Sequence, residues 1–346
     1  MTPQLPDRDR EIFRILVADY IATADPVGSR TIARKHPGHL SPATIRNVMS
    51  DLTEMGLIEQ PHTSAGRIPT DDGFRYYVNC LLTRRDLSPE EMVGIRERCL
   101  GDERGTDVVL QRASRMLAAV SRYVGLVVTP SADKLLFKRI EFLPLSRQKI
   151  LGILVTQDGQ VENRLIEAGT ELNFSELERI ANYCNQAFAG LSLDEALEKT
   201  RRELESQRSD YDLILRKAML FSEAILSDAS RAELVIDGQT QLLGEPEFSG
   251  AKQVKELLEA LEEKQAILKM LERCRDAEGV RVFIGTDAAV GDSGGMGCVG
   301  APYFRDGKAV GTLGVIGPKR MDYSHVVPIV DFTAKLISDA LEGYSR

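Results

Sequence analysis

Apolar residues recur three and four positions apart at Ile45, Val48, Met49, Leu52 and Met55, which predicts a helix with one stripe packed against a core. Its ends are marked. Ser41 can accept from the first free backbone N–H groups, Pro42 supplies a pre-set φ at the first helical position, and Gly56 can end the helix in a left-handed conformation. The opposite face is left to Ala43, Thr44, Arg46, Asn47, Ser50 and Asp51. Upstream, residues 29–36 predict a shorter helix and Pro37-Gly38-His39-Leu40 a turn, which is helix-turn-helix spacing. Downstream, residues 57–60 and 67–68 are strand-like, and the small, polar run Pro61-His62-Thr63-Ser64-Ala65-Gly66 joins them as a wing would.

Beyond residue 70 the pattern changes several times. Phe74-Arg75-Tyr76-Tyr77-Val78 begins a helix whose tyrosines are expected in a core or interface. Residues 87–105, with Ser88-Pro89 and many charges, read as linker plus helix, and residues 106–121 as a further helix. Strand patterns follow at 123–128, 140–143, 150–156 and 161–166, with a hairpin signal at Gln157-Asp158-Gly159-Gln160. They resume at 280–284, and then in a hairpin of 299–304 with 309–316 about the turn Arg305-Asp306-Gly307-Lys308. A terminal helix is expected over 329–341, after Pro328. The stretch between is mostly helical. Leu193, Leu197, Leu204, Tyr211, Ile214, Ala218, Phe221 and Ile225 approximate a seven-residue repeat, but Thr200 and Gln207 interrupt it, so a long coiled coil is not expected. A small strand pair at 233–236 and 241–243 is expected next, then one amphipathic helix carrying Val254, Leu257, Leu258, Leu261, Leu268 and Leu271. These stripes could serve equally as core or as interface.

Charge supports a nucleic-acid partner only locally. The 346-residue chain has 44 basic and 52 acidic side chains and a net charge of −8. Residues 30–50, however, hold Arg30, Arg34, Lys35 and Arg46 with no Asp or Glu, so a charge of about +4 is concentrated where a phosphate backbone would feel it. Arg46 and Asn47 are side chains that pair bidentately with guanine and adenine edges in a major groove. With Thr44 they are expected to read bases. Arg30, Ser41, Ser50, Thr63, Ser64 and Arg67 are expected to hold phosphates or the minor groove, and His62 lies at the wing tip close to them.

Other chemistries are weakly represented. The five cysteines, Cys80, Cys99, Cys184, Cys274 and Cys298, are scattered and suggest neither a disulfide framework nor a zinc site. The four histidines have no metal-site spacing. No apolar run approaches the roughly 18 residues of a membrane span, which places the chain in the cytoplasm with no membrane partner. Gly291-Asp292-Ser293-Gly294-Gly295 spells a serine-nucleophile segment. Three of the histidines, His36, His39 and His62, lie far upstream in the helix-turn-helix and wing region and only His325 follows Ser293, too closely for the intervening body of a hydrolase, so no enzyme, catalytic residue or cofactor is expected. The glycine-rich stretch reads instead as a surface loop.

Residues Ser41-Pro42-Ala43-Thr44-Ile45-Arg46-Asn47 through Thr63-Ser64-Ala65-Gly66-Arg67-Ile68-Pro69-Thr70 resemble the winged helix of HrcA, the family of bacterial heat-inducible transcription repressors. Gly300-Ala301-Pro302-Tyr303 and Val310-Gly311-Thr312-Leu313-Gly314-Val315-Ile316-Gly317-Pro318-Lys319-Arg320-Met321-Asp322-Tyr323 resemble that family's C-terminal signature. The middle resembles the family in layout rather than in a motif. The expected fold is α+β and multidomain: a winged helix-turn-helix over 1–85, a linker and helix over 86–105, and a GAF-like α/β sensor domain over 106–170 and 276–346. A mostly helical insert over 171–275 splits the GAF-like domain, and the resemblance makes it a dimerisation module. The expected function is repression of chaperone genes by a homodimer on double-stranded DNA carrying an inverted-repeat operator. The resemblance further implies inactivation by heat and reactivation by a GroEL-type chaperonin. The alternative is a winged-helix regulator that answers to a small effector through its GAF-like domain.

Overall fold

A computed structural model describes residues 5–38, 40–63, 65–101, 105–130, 135–157, 159, 161–169, 171–205, 213–229, 233–288 and 295–343. Its helices and sheets are mixed in α+β fashion, and the chain divides into two compact units. One joins Met1–Thr129 to Leu234–Arg346, and the other is Pro130–Glu233.

The first unit opens with helix α1, Asp7–Thr23, which the hydropathy pattern does not single out among the dense N-terminal charges. Two acids in its first turn, Asp7 and Asp9, favour the helix start, and Ala24 ends it in the left-handed region at φ 60°. Ile12, Phe13, Leu16 and Val17 are buried. Helix α2 is Ser29–Lys35 and α3 is Pro42–Glu54. As expected, the Ser41 hydroxyl accepts from the Thr44 N–H at 3.1 Å and Pro42 takes the first position. Gly56 adopts φ +71° at the far end, where the Leu57 N–H reaches back to the Leu52 carbonyl. Ile45, Val48, Met49 and Leu52 are buried; Met55, expected in the same stripe, is 49% exposed because the helix has already ended there.

A short antiparallel pair follows, β1 (Ile58–Glu59) and β2 (Ile68–Pro69), with Ile58 opposite Pro69 and Glu59 opposite Ile68. Arg67 and Val27 exchange two backbone hydrogen bonds of 2.9 Å beside it. Gly66 permits this approach, since a Cβ there would lie 2.5 Å from the Val27 carbonyl. Helix α4, Asp71–Tyr76, starts three residues earlier than the pattern suggests because the Thr70 hydroxyl caps it on the Gly73 N–H at 3.0 Å. It continues into a π-helical turn, Tyr77–Leu81. Tyr76 and Tyr77 are core residues, and Tyr76 meets Phe13 edge to face at 5.9 Å.

Helix α5, Pro89–Leu100, carries a capping box between Ser88 and Glu91. Helix α6 is Thr106–Ser121 and strand β3 is Val124–Val128. The chain then leaves for the second unit, where β4 (Phe137–Pro144), β5 (Lys149–Thr156) and β6 (Val161–Glu167) form an antiparallel sheet of their own. Helices α7 (Phe174–Ala187) and α9 (Leu213–Ala229) pack on this sheet, and α8 (Leu193–Glu205) packs on α9. Gly152 admits Ile225 of α9, whose Cδ1 would stand 2.0 Å from a Cβ. Thr200, where the apolar repeat falters, is buried with its hydroxyl on the Ala196 carbonyl at 2.7 Å. Asp158 and Gln160 of the hairpin signal lie outside the described residues, but β5 and β6 pair across it, Val155 opposite Val161.

This differs from the expected division of the chain. The insert begins at residue 130 rather than 171 and ends at 233 rather than 275, and it brings a three-stranded sheet to a segment expected to be mostly helical. Alternating strands look the same whichever sheet they join, so periodicity does not reveal that the strands within 137–167 form a sheet apart from the larger one.

The first unit resumes with β7, Leu234–Asp237, beside β3, Leu234 opposite Val128, so the insert leaves and re-enters at neighbouring strand ends. The expected partner strand at 241–243 is instead a 3₁₀ turn, Gln239–Gly244, followed by another, Pro246–Phe248. The single amphipathic helix expected next is two, α10 (Ala251–Glu262) and α11 (Lys264–Arg275), broken at Glu263 with ψ 60°. Strands β8 (Arg281–Ile284), β9 (Met296–Arg305) and β10 (Lys308–Pro318) complete a five-stranded antiparallel sheet in the order β7-β3-β10-β9-β8. The β9–β10 turn is the expected one, with Asp306 and Gly307 both at positive φ.

Helix α12 spans Tyr323–Gly343 and contains Pro328 rather than following it. A proline there has no N–H for the Ser324 carbonyl, and the Arg85 N–H takes that carbonyl at 3.0 Å. Helices α6 and α12 pack against this sheet, as does α11. At Gly300 a Cβ would lie 2.8 Å from the Cys274 sulfur of α11. One continuous apolar core runs from Phe13 and Phe74 to Val299, Tyr303 and Val330, while the insert has a separate core.

Candidate nucleic-acid interface

Helix α3 presents two unlike faces because its four buried apolar residues share one stripe. Arg46, Asn47 and Ser50 occupy the other, exposed, and none of their side chains has a hydrogen-bond partner among the described residues. Ser41 and Thr44, also expected at this site, are tied to each other through their hydroxyls at 2.9 Å, so both shape the helix start before they meet any ligand. Arg30 is exposed on α2. His62 and Thr63 are exposed at the hairpin tip; Ser64 lies outside the described residues.

The hairpin tip is braced from within. The Gln60 amide donates to the Thr63 carbonyl at 2.9 Å and to the Ala65 carbonyl at 3.0 Å. Gln60 was passed over in the sequence, where it reads only as a polar strand residue. Arg67 is half-buried, and its Nε donates to the Thr53 hydroxyl of α3 at 3.3 Å, joining hairpin to helix. The turn before α3 is held by His36, whose Nδ1 accepts from the Gly38 N–H at 2.9 Å. His39 lies outside the described residues.

Not every charge in the basic stretch faces solvent alone. Lys35 pairs with the buried carboxylate of Asp19 on α1. Arg30, Arg34 and Arg46 are exposed without an ion-pair partner among the described residues, and these three carry the patch. Such a face offers guanidinium and amide groups to an anionic, hydrogen-bonding surface wide enough to admit a helix.

Behind this face the segment is fastened to the rest of its unit by ion pairs that no local pattern announces. Lys319 Nζ lies 2.8 Å from Asp71, the first residue of α4. Arg75 donates to Asp287 at 2.7 Å and to the Ile284 carbonyl at 3.0 Å, and its other nitrogen meets Asp72 at 2.7 Å. Arg320, 9% exposed, bonds Glu247, Glu245 at 2.6 Å, and the Ile21 carbonyl near the end of α1 at 3.2 Å. A cation at a helix C-terminus is also favoured by the backbone dipole.

Among the described residues no group of three His, Cys, Asp or Glu side chains could hold a metal ion, and no helix is long and apolar enough to cross a membrane. Residues 291–294 of the glycine-rich segment lie outside the described residues. His325, which a hydrolase reading would need, has its Nε2 3.2 Å from Glu91.

Residues 107–327 match the model of the HrcA protein C-terminal domain. The chain is 42% identical to a heat-inducible transcription repressor HrcA from Geobacter sulfurreducens over 98% of its length and 99% of that protein's. It is 40% identical to the protein of the same name from Xanthomonas campestris pv. campestris, with 99% and 97% covered. A crystal structure of a hypothetical protein shares the fold, with a TM-score of 0.59 at 24% identity and 98% and 99% of the two chains covered. The relatives carry across both ends and the insert together, and the chain belongs to the HrcA family of heat-inducible transcription repressors.

Proposed function

We propose that residues 1–85 form a winged helix-turn-helix that binds operator DNA. Helix α3 enters the major groove, where Arg46 and Asn47 read bases with Thr44, and Arg30, Ser41, Ser50, His62, Thr63, Ser64 and Arg67 meet phosphates or the minor groove. The observation that carries this reading is the exposed row Arg46, Asn47 and Ser50, whose side chains have no partner among the described residues, on a capped helix whose other face is locked into the core. The name shared by the relatives supports it.

The remaining parts fit the same scheme. The five-stranded sheet with its helices serves as a GAF-like domain. The insert serves dimerisation, because one face of its sheet carries the apolar row Leu143, Leu151 and Leu165, aligned across three strands, with Leu143 37% and Leu165 51% exposed. Val161, opposite Val155, adds a further apolar residue at 58% exposure. A two-fold dimer in the cytoplasm then meets an inverted repeat upstream of chaperone genes, with half-sites a whole number of turns, about 34–36 Å each, apart. Heating lowers the operator-competent fraction of a marginally stable fold, and a GroEL-type chaperonin restores it.

Fluorescence anisotropy with a labelled inverted-repeat duplex and a scrambled one, at one salt concentration, tests the reading. Tight repeat-dependent binding lost in Arg46→Ala is expected; equal weak binding to both duplexes overturns it. Light scattering on Leu165→Glu tests the dimer, whose surface is wrong if the variant's mass stays that of the wild type. The second reading, a regulator answering to a small effector, is favoured by one feature, a cleft lined by arginines beside the β8 edge.

A further inference from the structure

The cleft lies between the π-helical turn with the segment after it, residues 77–84, and the edge strand β8. It encloses about 500 Å³. Three arginines line it, Arg84, Arg273 and Arg281, against a single acid, Asp287, whose carboxylate is already engaged by Arg75 at 2.7 Å. Arg84 and Arg281 are exposed and have no anionic partner among the described residues. Arg273 is held in place by two contacts: its Nη1 donates to the Asp287 carbonyl at 3.2 Å, and its guanidinium stands 4.7 Å over the Phe283 ring. Asn79 and the half-buried Val78, Leu82, Val280 and Val282 are also in the lining. π-helical turns are rare and occur often beside functional sites; this one places Val78 and Asn79 on the cleft.

Unpaired guanidinium groups converging on a concave surface repel one another unless an anion sits between them, and their planar forks match phosphate oxygens. We propose that this cleft binds a small organic phosphate, its phosphates held by Arg84, Arg273 and Arg281 and its apolar body against Val78, Leu82 and Val280. The cleft joins the end of the proposed DNA-binding segment, residues 77–84, to the sheet edge, so an occupant would stiffen that joint. The binding site stands on geometry alone, whereas its coupling to DNA rests on the repressor reading.

Isothermal titration calorimetry of the full chain with inorganic pyrophosphate and with ATP, at fixed ionic strength without divalent metal, tests the proposal. One saturable site is expected, tighter for ATP than for pyrophosphate, weakened about tenfold by Arg84→Gln or Arg281→Gln and lost in the double variant. Arg30→Ala and Arg46→Ala should leave it unchanged, which separates it from phosphate binding on the DNA face. Absence of saturable binding by either probe, or binding unaltered in the double variant, overturns the site. Operator anisotropy with and without ATP, on wild type and double variant, then reads the coupling. A chain that binds no operator at all sinks the repressor reading and leaves the calorimetric result standing.

Discussion

Two groups of arginines serve opposite ends in one compact unit. Arg30 and Arg46 project into solvent with no partner among the described residues, on helices held rigid from behind. Arg75 and Arg320 have their forks filled by carboxylates and backbone carbonyls, all but Asp72 from segments more than 70 residues away in sequence. The first group is charge left available to a ligand, and the second is charge consumed in joining the N-terminal segment to the sheet and helices behind it. A basic residue count cannot tell them apart, because the difference lies in what faces each side chain after folding.

Removing one member of each group should therefore give opposite phenotypes. Arg320→Ala leaves Glu245 and Glu247 facing each other without a cation in a mostly buried setting, and we expect a loss of about 2–3 kcal/mol in denaturant unfolding, discounted for the partial exposure of both acids. Operator affinity per folded molecule should stay the same. If that variant unfolds at the wild-type midpoint, the architectural assignment is wrong. Arg46→Ala should do the reverse, costing on the order of 1–3 kcal/mol of operator binding with relaxed sequence preference and no change in melting. A melting shift as large as that of Arg320→Ala would erase the distinction between the groups.

Arg67 stands between them, since it is half-buried and already touches Thr53. Arg67→Ala should weaken binding to every sequence by under about 1 kcal/mol and lower the salt slope by about 1. A loss confined to one sequence would move it into the base-reading set.

The smallest effect concerns Glu91. The Ser88 N–H, and after it the His325 contact, hold this carboxyl below its ordinary 4.5. A depressed carboxylate stabilises the fold above its unfolded value, and the contribution disappears as pH falls through the lower folded one. Melting should thus decline more steeply below about pH 4.5 in the wild type than in Glu91→Gln. Parallel curves would assign Glu91 no part in acid sensitivity.

These outcomes bear on how much the sequence discloses. The α3 caps, the short helix and turn before α3 and the β9–β10 turn were legible because each is decided within a few residues, as at Ser41 and at Asp306-Gly307. The exposed row of α3 followed from the same periodicity. Contacts that bind distant segments were not legible: nothing near Asp71 signals Lys319, and nothing near Ile21 signals Arg320. The limits of the insert failed for a related reason, since strands β4, β5 and β6 alternate no differently from strands of the larger sheet. That Lys35 drops out of the basic patch at residues 30–50 was not visible, because Asp19, which captures it, lies a helix away.

Pro328 has one more consequence. The stretch from Leu82 to Ser88 has no regular secondary structure, and amides in such a stretch ordinarily exchange with solvent hydrogen quickly. The Arg85 amide, clasped by the carbonyl that Pro328 leaves vacant, should be a slow-exchanging proton in a fast-exchanging run. Its exchange rate is a clock on that one joint: it will quicken when the linker lifts from α12, whether or not the rest of the unit has opened.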